Sequence, residues 1–545
     1  MTRIIVLIIL ALNYLYPLAA QQLKQPRLVV GIVVDQMRAE YLYRFYNQFG
    51  ENGFKRLMSQ GFNCRNVHIN YIPSETGPGH SSIYSGTSPK FHGMVGNYWY
   101  DRSLKHDIYC VDDTAEHLVG IDSSKMGVSP RNMLASNIGD ELKISTNLKS
   151  KVIAISLKDR AAALPAGHMA DGAYWFDQKS GNFISSSFYM TKLPSWVINF
   201  NKHKMADQYL ENSWTLLKPA EDYPASIDDD NNYESIPKGK ERPVFPYNLK
   251  ELAQKRTPRF AVLYDSPFGN SLLTDFAIET LKNEDLGKGS NTDLFAISFS
   301  STDAVGHAFG PLSKEVNDTY LRLDKDIARL LDALDQQVGP GNYTLFLTAD
   351  HGVDEVPKYL TDHKVPAGYL KVGDLEKEAS GFLTQKLGEG KWIESTRSGE
   401  FYLDRTLIMK KDFDLITVQN LLARFLKDKK GIAQVYTATQ LDEQEFTQNM
   451  AGKLQNGFYY KRSGDVKLIL EPAWTNETGA PSEHGTGYTY DTHIPLIWFG
   501  AGIRKGESVI PYNVTDIAPT VSMMLHIKFP NACIGSPIEE VSGKF

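Results

Sequence analysis

Leu28-Val-Val-Gly-Ile-Val-Val34 is an unbroken apolar run, rich in β-branched residues, that ends directly on Asp35. It shows no polar alternation, so it reads as a strand buried on both faces, the habit of a parallel sheet covered by helices. Comparable runs recur at Lys151-Val-Ile-Ala-Ile-Ser156, Leu294-Phe-Ala-Ile-Ser-Phe299, Thr344-Leu-Phe-Leu347 and Ile494-Pro-Leu-Ile-Trp-Phe499. After the first run, Arg38 to Met58 carries apolar residues at helical spacing, with Gly61 placed to supply a left-handed cap. Between the third and fourth runs, Leu323, Ile327, Leu330, Leu331 and Leu334 make one apolar helix face, stopped by Gly339-Pro340. Strand, helix, strand in this order predicts an α/β fold: a central, mostly parallel sheet with helices on both faces and right-handed crossovers.

Composition narrows the function classes. The 545 residues are 42% hydrophobic and 22% charged, an ordinary globular balance. With 58 basic and 64 acidic residues the net charge is -6, which offers no footprint for nucleic acid. Three cysteines, Cys64, Cys110 and Cys533, are too few for a disulfide scaffold or a cysteine-held zinc. Met1 to Gln22 has Arg3, an apolar core from Ile4 to Leu15, then Pro17, Ala19 and Ala20. That is the layout of a secretory signal peptide cleaved near Ala20, and its core is shorter than the roughly 20 residues of a membrane span. Export to the periplasm or medium, without a membrane anchor, is the expectation. Two stretches, near 165–290 and 355–480, break the strand–helix rhythm and read as caps inserted into a single catalytic domain over 21–545, monomeric in the simplest case.

The residues just beyond each buried run carry the chemistry, because open parallel sheets collect ligands past the carboxyl ends of their strands. The first run delivers Asp35. The third leads to Ser301-Thr-Asp303-Ala-Val-Gly-His307, and the fourth delivers Asp350-His351-Gly352, where the glycine permits a sharp turn. Glu483-His484-Gly485 precedes the last run, and His493 competes with His484 for a ligand role. Any one of these has a plainer use, as a turn residue or a surface pair. Together they place carboxylates and imidazoles at one sheet edge, a mixture that suits Zn²⁺. Pro73-Ser-Glu-Thr76-Gly-Pro-Gly-His80 leads into a helix, so that Thr76 or Ser74 either caps it or presents a hydroxyl to an anion held at its N-terminus. Asn97 offers amide hydrogens, and Lys158-Asp-Arg160 offers two cations directly after the second run.

The set Asp35, Thr76, Asp303-x3-His307, Asp350-His351 and His484 resembles the two-zinc alkaline phosphatase superfamily, and within it the phosphate-irrepressible, PafA-type family. The resemblance extends to Gly31-Ile-Val-Val-Asp-Gln-Met37, Trp99-Tyr-Asp101, Ser156-Leu-Lys-Asp-Arg160, Pro267-Phe-Gly-Asn270 and Thr515-Asp-Ile-Ala-Pro-Thr520. It implies one zinc on Asp35, Asp350 and His351 beside a Thr76 nucleophile, and a second on Asp303, His307 and His484, with His484 preferred to His493. It further implies Asn97, Lys158 and Arg160 on the phosphoryl oxygens, and hydrolysis of small phosphate monoesters through a phosphothreonine, the leaving group stabilised by zinc. Two other functions remain in competition: a phosphodiesterase or nucleotide pyrophosphatase on the same metal frame, and a non-catalytic phosphate-binding protein. Lys158 and Arg160 favour the monoester, whose dianion gains more from two cations than a diester does. A sulfatase is excluded, because Thr76 cannot be oxidised to an aldehyde and His80 stands where that motif has Arg.

Overall fold

The computed structural model describes residues 25–122 and 126–542; Met1 to Gln22, read from sequence as a signal peptide, lies outside them. The chain forms a twelve-stranded mixed sheet. Its strands are β1 Leu28–Val34, β2 Phe62–His68, β3 Asp112–Val119, β4 Met126–Val128, β5 Val152–Ser156, β6 Gly172–Asp177, β7 Asn182–Ser186, β8 Asp293–Phe299, β9 Tyr343–Thr348, β10 His493–Gly500 and β11 Gly506–Ser508. They run in the order β11-β2-β10-β9-β1-β8-β5-β6-β7-β3-β4, with Tyr512–Asn513 also paired to β2.

The five central strands β9-β1-β8-β5-β6 are parallel. They also finish in register: Val34 lies opposite Phe299, Val33 opposite Thr348, and Ser298 opposite Ser156. One edge of the sheet therefore carries Asp35 and the residues that come after Phe299, Thr348 and Ser156. All seven residues of β1 and all seven of β8 are buried, which is why neither shows alternation.

Helices cover these strands: α1 Thr76–Ser85, α2 Asp159–Ala166, α3 Pro267–Asn283, α4 Ser301–Phe309 and α5 Lys314–Gln337. The expected face Leu323, Ile327, Leu330, Leu331 and Leu334 is buried on α5, whose first turn is capped by Ser313 Oγ accepting from the Val316 N–H at 3.1 Å. Burying each such side chain contributes about 1.5–3 kcal/mol over leaving it in water. Gly31 lets α1 approach β1, since a Cβ there would lie 2.4 Å from Tyr84 Oη and 2.6 Å from Phe346 Cζ.

The last apolar run, β10, is antiparallel to both β9 and β2, so its amino end, which follows the His484 loop, shares the edge with Asp35. Two expectations are corrected. Arg38 to Met58 is not one helix but three short pieces, Tyr41–Arg44, Tyr46–Gln48 and Phe54–Gln60. The Asp324 carboxylate, arriving from α5, accepts from the backbone N–H groups of Gly50 and Phe54 at 2.7 Å each and holds the chain out of the helix between them. Gly61 is extended (φ -93°) and not left-handed; it is small because a Cβ would meet Trp498 O at 2.2 Å.

The two stretches without strand–helix rhythm behave differently. The first supplies β6 and β7 to the main sheet. The second has a four-stranded sheet of its own, Ile393–Arg397, Glu400–Leu403, Val466–Leu470 and Ile432–Thr437 in spatial order, over a separate core that includes Leu383, Phe401, Leu422 and Val466.

Candidate active site

Asp35 leaves β1, Lys158 and Arg160 sit where β5 passes into α2, Asp303 and His307 share one face of α4, and Asp350-His351 come after β9. His484 comes from the loop before β10. Asp35, Asp350 and His351 each present one ligand atom within 4.8 Å of the others, and so do Asp303, His351 and His484. His351 thus belongs to both trios, stacked on His484 with ring centroids 3.6 Å apart. His307 enters through Asp303, its Nε2 lying 3.2 Å from Asp303 Oδ1. His493 lies elsewhere, stacked on His68 with its Nε2 3.0 Å from Arg65 O.

The donor set fits metal ions. Each of the three imidazoles has Nδ1 on a backbone carbonyl: His307 on Ser482 O at 2.8 Å, His351 on Gly352 O at 2.9 Å, and His484 on Ser74 O at 2.8 Å. A carbonyl only accepts, so Nδ1 keeps the hydrogen and Nε2 turns its lone pair to the centre, the arrangement that fixes metal-binding imidazoles. Among the described residues Asp35 Oδ1, Asp350 Oδ2 and His351 Nε2 are buried without a hydrogen-bond partner. Orphaned buried acceptors are costly, which is what a cation relieves.

The electrostatics agree. Burial, and then the neighbouring Asp350 carboxylate, push the Asp35 carboxyl up to about 7. Burial opposes charge on His307, yet Asp303 and then Glu483 lift it to about 10. Burial, then His351 and His307, hold His484 well below the usual imidazole range. Burial opposes charge on Lys158 as well, but Asp303 and Asp35 raise it.

Thr76 is the first residue of α1 and is 1% exposed. Neither it nor Ser74 caps the helix. Ser74 Oγ donates to Thr486 O at 2.8 Å, and the Gly77 N–H is capped by Asn97 Oδ1 at 2.8 Å. Spending Oδ1 in this way turns the Asn97 amide hydrogens outward. The Thr76 hydroxyl is left 3.4 Å from Lys158 Nζ and 3.4 Å from Arg160 Nη2. Lys158 Nζ also bridges the trios, 2.6 Å from Asp35 Oδ2 and 2.6 Å from Asp303 Oδ2.

Sequence reasoning missed the residues that hold these groups. Glu75, half-buried and with its carboxyl raised chiefly by desolvation, accepts from the Asn97 N–H at 2.7 Å and from Ser398 Oγ at 2.8 Å. Tyr109 Oη accepts from Arg160 Nη1 at 3.1 Å while donating to Asp159. Gln36 Nε2 donates to Asp303 Oδ1 at 2.8 Å from a left-handed backbone (φ 67°). Gln36 stands beside the expected ligand Asp35 and could have been suspected; the other two act across spacings that no local pattern encodes.

A family model described as type I phosphodiesterase / nucleotide pyrophosphatase matches residues 29–493. The chain is 42% identical over 527 residues to a Myroides odoratus protein named calcium-transporting ATPase, with 96% of each chain covered. It is 41% identical over 525 residues to alkaline phosphatase PafA of Elizabethkingia meningoseptica, with 95% of each covered. The crystal structure of wild-type PafA matches with a TM-score of 0.91 at 40% identity, covering 95% of this chain and 99% of that one. Among the described residues no helix is long and apolar enough to cross a membrane.

Proposed function

The chain belongs to the type I phosphodiesterase / nucleotide pyrophosphatase family and to the PafA-type alkaline phosphatases, and from that premise we propose that it is an exported alkaline phosphatase working through Thr76 with two zinc ions. Asp35, Asp350 and His351 would hold one ion, and Asp303, His307 and His484 the other. The described residues form one catalytic domain, its first inserted stretch joined to the main sheet and its second a cap, acting as a monomer in the periplasm or medium. Its substrates are small phosphate monoesters.

The observation that carries this reading is the setting of one hydroxyl. Thr76 Oγ1 lies at a helix N-terminus, 3.4 Å from each of two cations, the buried Lys158 and the half-buried Arg160. Bound zinc would supply Lewis-acid charge for the displacement. Thr76 Oγ1, giving up its proton, attacks phosphorus in line; its bond to phosphorus forms as the bond to the leaving oxygen breaks, and the departing alkoxide takes a proton from solvent to leave as the alcohol. Lys158, Arg160 and the Asn97 amide hold the non-bridging oxygens as their charge rearranges. Water then attacks the phosphothreonine, releases phosphate and restores the hydroxyl. A dianionic monoester draws more from Lys158 and Arg160 than a diester does.

Acid quench during turnover of p-nitrophenyl phosphate, followed by peptide mass spectrometry, should place the phosphoryl group on Thr76. Thr76→Ala should lose about 10³-fold or more in turnover with its unfolding midpoint retained. Phosphate on another residue, or a variant near wild-type turnover, contradicts the proposal.

A further inference from the structure

A groove of about 660 Å³ opens on the site. Asp303 and His307 line its inner end, and none of Thr76, Asn97, Lys158 and Arg160 does. A second, larger cavity of about 1160 Å³ is lined by Lys158, Asp159 and Arg160, and Tyr264 lines both. The third cavity touching the site, by Glu75 and His484, holds only about 60 Å³.

The side of the groove matters. Thr76 rides on α1, which packs against Asp350 so closely that a Cβ on Gly79 would lie 2.6 Å from Asp350 O. Thr76 therefore stands with the Asp35, Asp350 and His351 trio. Lys158 Nζ separates that trio from Asp303, and in-line displacement sends the leaving oxygen away from the nucleophile, towards Asp303 and His307. The groove begins there.

Its walls are built for carbon. Trp214, Tyr247 and Phe309 form a rigid aromatic floor, with ring centroids 5.2 Å apart for Trp214 and Tyr247 and 5.7 Å for Tyr247 and Phe309. Their polar ends are tied back, Trp214 Nε1 to Asp318 at 2.7 Å and Tyr247 Oη to Glu315 at 2.6 Å, so these nearly buried rings make a firm backing, over which the half-buried Leu252, Tyr264, Ala308 and Ala480 present the groove's apolar surface. The groove's ion pair, Arg256 with Asp265 at 2.7 Å, neutralises itself. At the mouth, Ile236 is 55% exposed. A volume of this size takes a ring and its linker, whereas a leaving methanol or ethanol would leave it to water.

We propose that this groove is a leaving-group subsite, selecting phosphate monoesters whose alcohol carries a flat apolar group such as a phenyl ring two or three carbons from the ester oxygen. The inference rests on the phosphatase reading above. Its test compares ethyl phosphate with 3-phenylpropyl phosphate, two alkyl esters whose leaving alcohols differ little in acidity. For the zinc-loaded protein, kcat/KM should favour the phenylpropyl ester by about tenfold or more. Ethylphosphonate and 3-phenylpropylphosphonate, measured by calorimetry, should show the same preference in Kd without turnover. Ile236→Asp at the mouth and Ala480→Trp across the groove should each bring both ratios to within about twofold of one, while kcat/KM for ethyl phosphate stays within about twofold of wild type. A wild-type ratio near one, or a preference that survives both variants, overturns the subsite. Absence of ethyl phosphate hydrolysis removes instead the reading on which it rests, and the subsite with it.

Discussion

Gly79→Ala isolates the packing that positions the nucleophile. Gly79 lies in α1, three residues after Thr76. A Cβ at this position would sit 2.6 Å from Asp350 O, 2.7 Å from Asp350 Cβ and 3.0 Å from Asp350 Cα. Carbon contacts settle near 3.5–4.0 Å, so helix and strand end must part by about 1 Å. The obstruction is mostly backbone, and Asp350 is fully buried, so no side chain can swing clear. Overpacking of this kind costs about 1–3 kcal/mol. Helix propensity alone acts the other way, since Ala improves on Gly by about 1 kcal/mol. The functional effect should exceed the loss of stability. Thr76 and Asp350 would separate, and a misplacement of about 1 Å costs about 10²-fold in kcat/KM. Gly381→Ala, in the exposed helix Val372–Leu387, is the control: a Cβ there meets nothing within 4 Å. It should gain about 0.5–1 kcal/mol and leave activity unchanged. Urea unfolding and kcat/KM on p-nitrophenyl phosphate measure both quantities. Gly79→Ala as stable as the control, with kcat/KM within about twofold of wild type, refutes the reasoning.

Other expectations are shorter. Chelation should abolish monoester turnover and Zn²⁺ should restore it; full activity in the chelated protein would remove the metal reading. Tyr109→Phe takes away the hydroxyl that accepts from Arg160 Nη1, and kcat/KM for monoesters should fall about tenfold at unchanged fold, as read by circular dichroism alongside kinetics. Asp326, buried on α5, has its carboxyl raised to about 6 by burial, in spite of hydrogen bonds from Ser271 and Arg329. A folded pKa above the unfolded one means that the folded state holds the proton longer, so this contribution is complete below about pH 4 and lost as pH rises through about 6. Asp326→Asn should accordingly be more stable than wild type at pH 8, by up to about 2–3 kcal/mol, with the gain shrinking towards pH 4 in urea titrations.

Much of the fold was legible because fully buried strands announce themselves: β1 spans the same seven residues as its apolar run, and the other four central runs match their strands to within a residue or two. Strand direction was not legible, because a run such as Ile494–Phe499 has the same composition whichever way it points. The break in Arg38–Met58 was hidden as well, since the carboxylate responsible, Asp324, lies more than 260 residues away. At the site, ligand-type residues showed in the sequence because they stand at strand ends. Their supports did not: Tyr109 reaches Arg160 from a position 51 residues earlier, and Ser398 reaches Glu75 across 323.

The central claim is that Lys158 and Arg160 face a phosphate monoester dianion held before Thr76. Its most direct test is kcat/KM for a monoester and a matched methyl diester, on wild type and on Arg160→Ala. Wild type should prefer the monoester. The substitution should cost the monoester about 10²–10³-fold, the scale of losing one charge-stabilising donor, and should cost the diester at least about tenfold less. Equal losses on both substrates, or a wild-type preference for the diester, would contradict the account.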